Sequence, residues 1–138
     1  MGMFSVFNIS ASGLTAERLR MDIISNNIAN ANSTRTESGG PYRRELPVFA
    51  TILERELTKG TEANGVKVVG IVKDNSPLKM VYDPGHPDSN SQGYVEMPNV
   101  EVVKEMIDLI TASRAYEANV AVINAAKSAA AKALEIGR

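Results

Sequence analysis

The chain has 138 residues and a formal net charge of −1, a length that suits one ordinary domain and a balance that argues against nucleic acid as a partner. Hydrophobic residues make up 43% of it and aromatic residues only 5%, so the apolar side chains are mostly aliphatic, as in helix-to-helix seams. The absence of cysteine excludes disulfides and thiol catalysis, and with a single histidine it leaves no transition-metal cluster.

The first thirty residues predict an amphipathic helix. Apolar residues recur from Met3 in steps of four and three, a spacing that keeps one face of a helix turned towards a partner. Only Ser10 and Glu17 fall off this pattern. Asparagine, serine and threonine side chains after Asn26 compete for backbone hydrogen bonds, so we expect the helix to end near Asn30.

The middle of the chain predicts extended structure. Short apolar runs alternate there with turn signals. The candidate strands are residues 42–52, 66–72 and 78–82. Residues 52–59 fit a helical turn equally well. Proline and glycine at the start of residues 83–93, followed by polar residues, predict an ordered loop.

The carboxyl end predicts a second, longer helix. Its apolar seam alternates steps of four and three over residues 102–134, and Asn99 is a candidate N-cap. A helix over residues 100–136 would be about 55 Å long, more than one small domain needs, so we expect it to project. Alanine recurs on several faces over residues 112–133, which favours close approach to more than one neighbour.

Together these segments predict a mainly α fold with a small β part. Long N- and C-terminal helices form an antiparallel coiled-coil hairpin, with an extended β-hairpin-like middle segment and ordered loops. The predicted divisions are residues 1–36 for the first helix and its asparagine-rich turn, 37–97 for the middle segment with its loop at 83–93, and 98–138 for the second helix. The surplus apolar surface favours a hairpin that leaves its alanine-rich faces for other subunits. The alternative is a hairpin that satisfies both seams within one monomer and needs no assembly.

Catalytic chemistry has little support in the sequence. Glu101, Glu105 and Asp108 line the first turns of the second helix, where a solvated face explains them. Arg43 and Arg44 are too short a basic run to bind nucleic acid. A contact at the rim of a protein interface, or a contribution to solubility, explains them better. No phosphate-binding or dinucleotide motif occurs. We therefore expect neither an enzyme nor a cofactor.

His86, Pro87 and Asp88 form the tripeptide that marks J-domain co-chaperones, in which it lies in the loop of a helical hairpin. Here the preceding residues, 66–82, are predicted as strands, so the motif lacks its structural context. The plainer interpretation is a turn in which Pro87 fixes the backbone and Asp88 caps it.

Several motifs resemble the axial proteins of the bacterial flagellar rod and hook, and in particular the proximal rod proteins of the basal body. The amino-terminal motifs SGLTA (12–16) and NNIANANST (26–34) are similar to a signature shared across that family. The motifs YDPGHPD (82–88) and GYVEMPNV (93–100), with residues 105–119, resemble its proximal rod members. The likeness covers residues 7–36 and 79–135.

The resemblance implies a structural subunit of the rod, the hollow drive shaft that transmits motor torque, surrounds the export channel and is required for motility. The implied partners are further copies of the chain, other rod proteins, the adaptor between rod base and export gate, and the flagellar type III export apparatus. The implied location is the basal body in the cell envelope, reached without a cleaved signal peptide, and the amino end shows no basic cluster followed by an apolar core.

No run approaches the roughly 20 apolar residues of a membrane span, so we expect no direct membrane insertion. Another rod or hook subunit, a helical adaptor or a His-Pro-Asp co-chaperone are the alternatives. The expected interaction residues are Leu14, Met21, Ile24, Asn26, Asn27, Ile28, Asn30, His86, Pro87, Asp88, Met106, Leu109, Tyr116, Val120 and Ile123. Three of those on the first helix should meet four of those on the second in the hairpin: Met21, Ile24 and Ile28 with Leu109, Tyr116, Val120 and Ile123. The asparagine-rich turn and the loop 83–93 should contact neighbouring subunits.

Overall fold

Two long helices and two small antiparallel sheets make up the chain in a computed structural model, which describes residues 3–56 and 60–137, with side chains described outside residues 3–4 and 53–64. The elements are α1 (Met3–Ala29), β1 (Glu45–Glu56), β2 (Gly60–Lys73), β3 (Lys79–Tyr82), β4 (Tyr94–Met97) and α2 (Val102–Ile136). The prediction of a mainly helical fold with a small β part is confirmed. Within the described residues, no helix is long and apolar enough to cross a membrane.

Helix α1 ends where the asparagine-rich run predicts. Asn30 donates to the Asn26 carbonyl from both its backbone N–H and its side-chain amide, each at 3.0 Å. The Asn30 oxygens in turn accept from the backbone and hydroxyl of Ser33. These local bonds replace the next turn of helix and turn the chain towards the middle segment.

The predicted N-cap of α2 is wrong. The residue before the helix is Glu101, which makes no side-chain capping bond. The Asn99 side chain accepts from the Arg44 N–H at 2.9 Å and donates to the carbonyls of Asp74 and Ser76 at 3.1 and 3.3 Å. Asn99 therefore satisfies backbone groups of two distant segments instead of the orphan donors of its own helix.

Helices α1 and α2 lie side by side and run in opposite directions. Asn27, near the end of α1, bonds to Glu105, near the start of α2. Near the middle of both helices, Gly13 faces Asn119, and a Cβ at Gly13 would lie 3.1 Å from the Asn119 Nδ2 atom. Glycine at this point lets the two helix backbones approach closely.

Strands β1 and β2 form a long antiparallel hairpin that packs on another face of α1. The Ser12 hydroxyl accepts from the Val66 N–H at 3.1 Å, and Ala16 beside it is buried. Both strands predicted for this region are confirmed, with different bounds: β1 begins at Glu45, so residues 42–44 lie outside it, and it continues past 52, while β2 extends beyond residues 66–72 at both ends. The helical turn at 52–59 is wrong for residues 52–56, which continue β1, and its remaining residues 57–59 lie outside the described part of the chain.

Strands β3 and β4 form the second sheet, and the loop 83–93 connects them. Strand β4 lies outside the three predicted strands. Tyr82 and Tyr94 end the ladder with their rings edge to face at 5.3 Å. Gly93 closes the loop at φ 78°, and a Cβ there would lie 2.9 Å from the Tyr82 ring, so this turn requires glycine. Residues 83–93 form an ordered loop without helix or strand, as predicted.

Candidate assembly surface and polar junction

Asn27 is the centre of a buried polar junction between the helices and the start of β1. It is 1% exposed and makes four hydrogen bonds. Its Nδ2 donates to the Glu45 carbonyl at 2.9 Å and to the Glu105 Oε2 at 3.0 Å. Its Oδ1 accepts from the Tyr42 hydroxyl and the Glu45 N–H, both at 2.9 Å. Four bonds use the whole capacity of an amide, so the burial of Asn27 leaves no polar group unpaired.

Arg44 provides the charge of the junction. Its Nε donates to the Glu105 Oε1 at 2.5 Å, and its terminal nitrogens lie 3.4 Å from an Asp108 oxygen and 3.8 Å from an Asp74 oxygen. The Glu105 residue is 0% exposed. Interpreting Glu105 as part of a solvated face and Arg44 as a rim or solubility residue was therefore wrong. A buried carboxylate needs a paired cation, and here that cation lies 61 residues earlier in the chain.

The junction also changes the acidity of two groups at its edge. Burial, followed by the negative charges of Glu45 and Glu105, raises the pKa of Tyr42 to about 12, so its hydroxyl stays a donor at neutral pH. Hydrogen bonds from the side chain and backbone of Ser76, together with the Arg44 charge, lower the pKa of Asp74. The raised pKa keeps the Tyr42 hydroxyl protonated, as its donated hydrogen bond requires, and the lowered pKa keeps the Asp74 carboxylate ionised, as its accepted hydrogen bonds require.

The His-Pro-Asp segment attaches the loop 83–93 to the chain that follows α1. The Asp88 carboxylate accepts from the Thr34 hydroxyl at 2.9 Å and from Arg35 at 2.5 Å. These contacts, the Thr34 bond first, lower the pKa of Asp88. Asp88 does not cap its own turn as predicted; instead its N–H donates to the His86 Nδ1 at 3.1 Å. Because this loop joins two strands, it differs from the helical-hairpin loop of a co-chaperone.

On α1, the predicted contact residues lie towards the interior. Ile24 is buried, and Leu14, Met21 and Ile28 are half-buried. Of the predicted asparagines, Asn27 is buried and Asn26 is exposed.

On α2, the face towards α1 is rotated relative to the predicted seam. Leu109, Tyr116, Val120 and Ile123 are half-buried, but Met106 is 52% exposed. At every second position of the seam, the residue that faces α1 is the one before the predicted residue. Glu105, Ala112 and Asn119 face α1 in this way. The rotation follows from the bonds that draw Glu105 inward to Arg44 and Asn27, which no apolar periodicity encodes.

The rotation leaves large apolar side chains on the back of α2, the side away from α1. Val103, Ile107 and Ile110 are 73%, 60% and 55% exposed. They lie three and four residues apart and so form one continuous strip on the helix surface. An exposed apolar strip of this kind marks a surface that contacts another molecule.

The described residues contain no group of three or more histidine, aspartate or glutamate side chains that could hold a metal ion. Some of their charged groups form ion pairs between segments that are distant in the sequence, as Arg44 does with Glu105 and Asp108. A long two-helix body, a buried polar junction and an uncovered apolar strip define a structural protein that assembles with others.

Comparison with known proteins identifies the assembly. The family model for the flagella basal body rod protein matches residues 7–35, and the model for the C-terminal part of the flagellar basal body rod FlgEFG proteins matches residues 91–136. The chain is 52% identical to the flagellar basal-body rod protein FlgC of Borreliella burgdorferi, over 99% of this chain and 98% of that protein. It is 45% identical to FlgC of Bacillus subtilis and 39% identical to FlgC of Salmonella typhimurium, over the full length of each.

The chain belongs to the FlgC family of flagellar basal-body rod proteins. Members of this family are structural proteins and not enzymes, so the chain is a structural subunit of the rod. Membership locates it in the flagellar basal body and implies assembly with other rod proteins.

Proposed function

We propose that this subunit polymerises through α1 and α2 into the hollow shaft that transmits motor torque and surrounds the export channel. The observation that carries the proposal is the apolar strip on the back of α2, which the described residues leave uncovered. Such a strip is costly in an isolated subunit and becomes stabilising when a neighbouring helix covers it.

Within each subunit, α1 and α2 act as an antiparallel coiled-coil hairpin. Ile24 and Ala112, buried on the two helices, support this role, and half-buried Tyr116 and Ile123 continue the seam away from the junction. The Asn27–Glu105 bond fixes the register between the helices, because a slip of one residue would leave a buried amide and a buried carboxylate unpaired.

The regions between the helices provide the remaining contacts. The exposed residues of the asparagine-rich turn and of the loop 83–93, such as Asn26 and Pro87, touch neighbouring subunits. The family resemblance supports the further partners: the adaptor at the rod base and the flagellar type III export apparatus. It supports a site of assembly in the cell envelope, which the subunit reaches without a cleaved signal peptide.

Substituting Val120→Asp tests the role of the helices. Val120 is half-buried at the edge of the α1–α2 contact, and a carboxylate there would have to stay hydrated between the helices. In a strain that carries this gene as its only copy, we expect the protein to be made but basal bodies to lack rods and cells to stop swimming.

The matched control is Val120→Ile, which keeps the position apolar and should leave swimming unchanged. Normal swimming and normal rods with Val120→Asp would contradict assembly through the terminal helices. Immunoblotting of whole cells separates a loss of assembly from a loss of the protein.

A further inference from the structure

The side of α1 that faces away from α2 carries a regular stripe of small and charged residues, of which Thr15 also borders the groove between α1 and the β1–β2 hairpin. This outer stripe consists of Ala11, Thr15, Arg18, Asp22, Ser25 and Ala29, which are all exposed. The hydroxyls of Thr15 and Ser25 donate to the carbonyls of Ala11 and Met21 in the same helix, at 3.0 and 2.8 Å. Their outward surfaces are therefore small and largely apolar.

The back of α2 carries a stripe with the same alternation of three and four residues. Its members from the amino end are Ile107, Ile110, Arg114, Glu117, Ala121 and Asn124, all exposed. Among the described residues, Arg18, Asp22, Arg114 and Glu117 form no ion pair within the chain. Each stripe thus presents one free cation and one free anion.

Laid antiparallel, the two stripes match at each of their six positions. Arg18 comes opposite Glu117 in the same register that brings Asp22 opposite Arg114. In that register the small residues Ser25 and Ala29 meet the large Ile110 and Ile107. The remaining layers pair Thr15 with Ala121 and Ala11 with Asn124. Opposite charges meet at both ionic layers, and the bulkiest residues meet the smallest.

We propose that the outer stripe of α1 in one copy docks antiparallel on the back of α2 in a second copy, with Asp22 on Arg114 and Arg18 on Glu117. The inference rests on the proposed function and adds the partner surface and its register. It also covers Ile107 and Ile110, two of the three side chains of the apolar strip on the back of α2.

The register gives the relative position of the two copies. Within one chain Gly13 lies level with Asn119 and Asn27 level with Glu105, so Arg18 lies level with Arg114. In the proposed contact, Asp22 of the neighbouring copy lies opposite Arg114, where Arg18 lies within one chain. The two copies are therefore shifted by three to four residues, about 5 Å, along the helix axis. Two different surfaces meet at this contact, and repeating it with a constant shift builds a helical array instead of a closed ring.

Cysteine pairs test the register directly, since the chain contains no cysteine of its own. Thr15→Cys with Ala121→Cys should crosslink under mild oxidation of isolated basal bodies into a ladder of dimers, trimers and longer oligomers of this chain. Ala29→Cys with Ala121→Cys is the matched control, because those positions would lie about 20 Å apart in the proposed register, and it should give no ladder. Absence of a ladder from rods of cells that swim under reducing conditions overturns the proposal.

Charge reversal gives an independent measurement that needs no crosslinking. Arg18→Glu alone and Glu117→Arg alone should each shrink the swimming halo, because each brings like charges together, and the double variant should restore it. Lys73→Glu, an equal reversal on the exposed part of β2, should swim like the parent. A double variant that swims no better than either single variant overturns the register. This measurement tests the register by itself if the cysteine variants build no rods.

The two proposals fail in different ways. If basal bodies with this protein removed still contain complete rods, the proposed function is wrong. If rods contain the protein but neither the ladder nor the charge rescue appears, only the contact between copies is wrong.

Discussion

Asn27 shows how one residue can connect three elements. A buried amide has two donors and two acceptor sites, and all four are used to connect α1 with α2, with the start of β1 and with Tyr42 just before it. Asn26, its neighbour in sequence, points to solvent. The sequence motif that contains both residues predicts a helix end, but only the structure shows which asparagine is structural.

Replacing Asn27 by alanine should lower the free energy of unfolding by about 3 kcal/mol. The change leaves the buried Glu105 oxygen and the Glu45 backbone groups without their partner. Chemical denaturation of the isolated subunit, followed by circular dichroism, measures the loss. Asn26→Ala is the control and should change stability by less than about 0.5 kcal/mol; equal losses at both positions would contradict the role assigned to Asn27.

Among the elements, apolar periodicity predicts the number of helices and the extent of α2, but neither the start of α1 nor the rotation of α2. The predicted seam shares Leu109, Tyr116 and Ile123 with the observed inner face. It places Met106 inside and Glu105 outside, and the structure reverses both. A hydrophobic repeat carries no signal for a buried carboxylate, because the stabilising cation comes from a distant segment of the chain.

Gly13→Val tests the close approach of the two helices. The added side chain would meet the Asn119 amide, since even a Cβ would lie 3.1 Å from it. Although valine favours a helix more than glycine, we expect a net loss of about 1.5 kcal/mol in the unfolding free energy of the isolated subunit. Ala11→Val, on the exposed side of the same turn, should lose only about 0.5 kcal/mol. A stabilised Gly13→Val variant would contradict a tight contact at this level.

For the whole molecule, Arg44 connects segments that are far apart in the sequence. Its guanidinium pairs with Glu105 and Asp108 of α2 and with Asp74 after β2, and its N–H binds Asn99. This junction holds the helices and the middle segment at a defined angle. No short sequence motif predicts this junction. The fold class therefore follows from the sequence, while the arrangement of the helices and the middle segment does not.

Arg44→Met should destabilise the molecule as a whole by about 3 kcal/mol, because it leaves the buried Glu105 carboxylate without its cation. Hydrogen exchange should accelerate together in the first turns of α2 and in the segment around Asp74. Arg43→Met is the control, since Arg43 makes only a 3.4 Å contact with the Ser76 carbonyl. Faster exchange confined to one of the two segments would show that Arg44 does not couple them.

The pairing of the first helix with the last one also governs when the molecule folds. About 70 residues separate α1 from α2, so their contacts require the closure of a long loop and fold slowly compared with local structure. During synthesis, the apolar face around Ile23 and Ile24 therefore has no helical partner until α2 emerges. The β1–β2 hairpin can cover one face of α1 earlier, but only completion of the last helix completes the packing of α1.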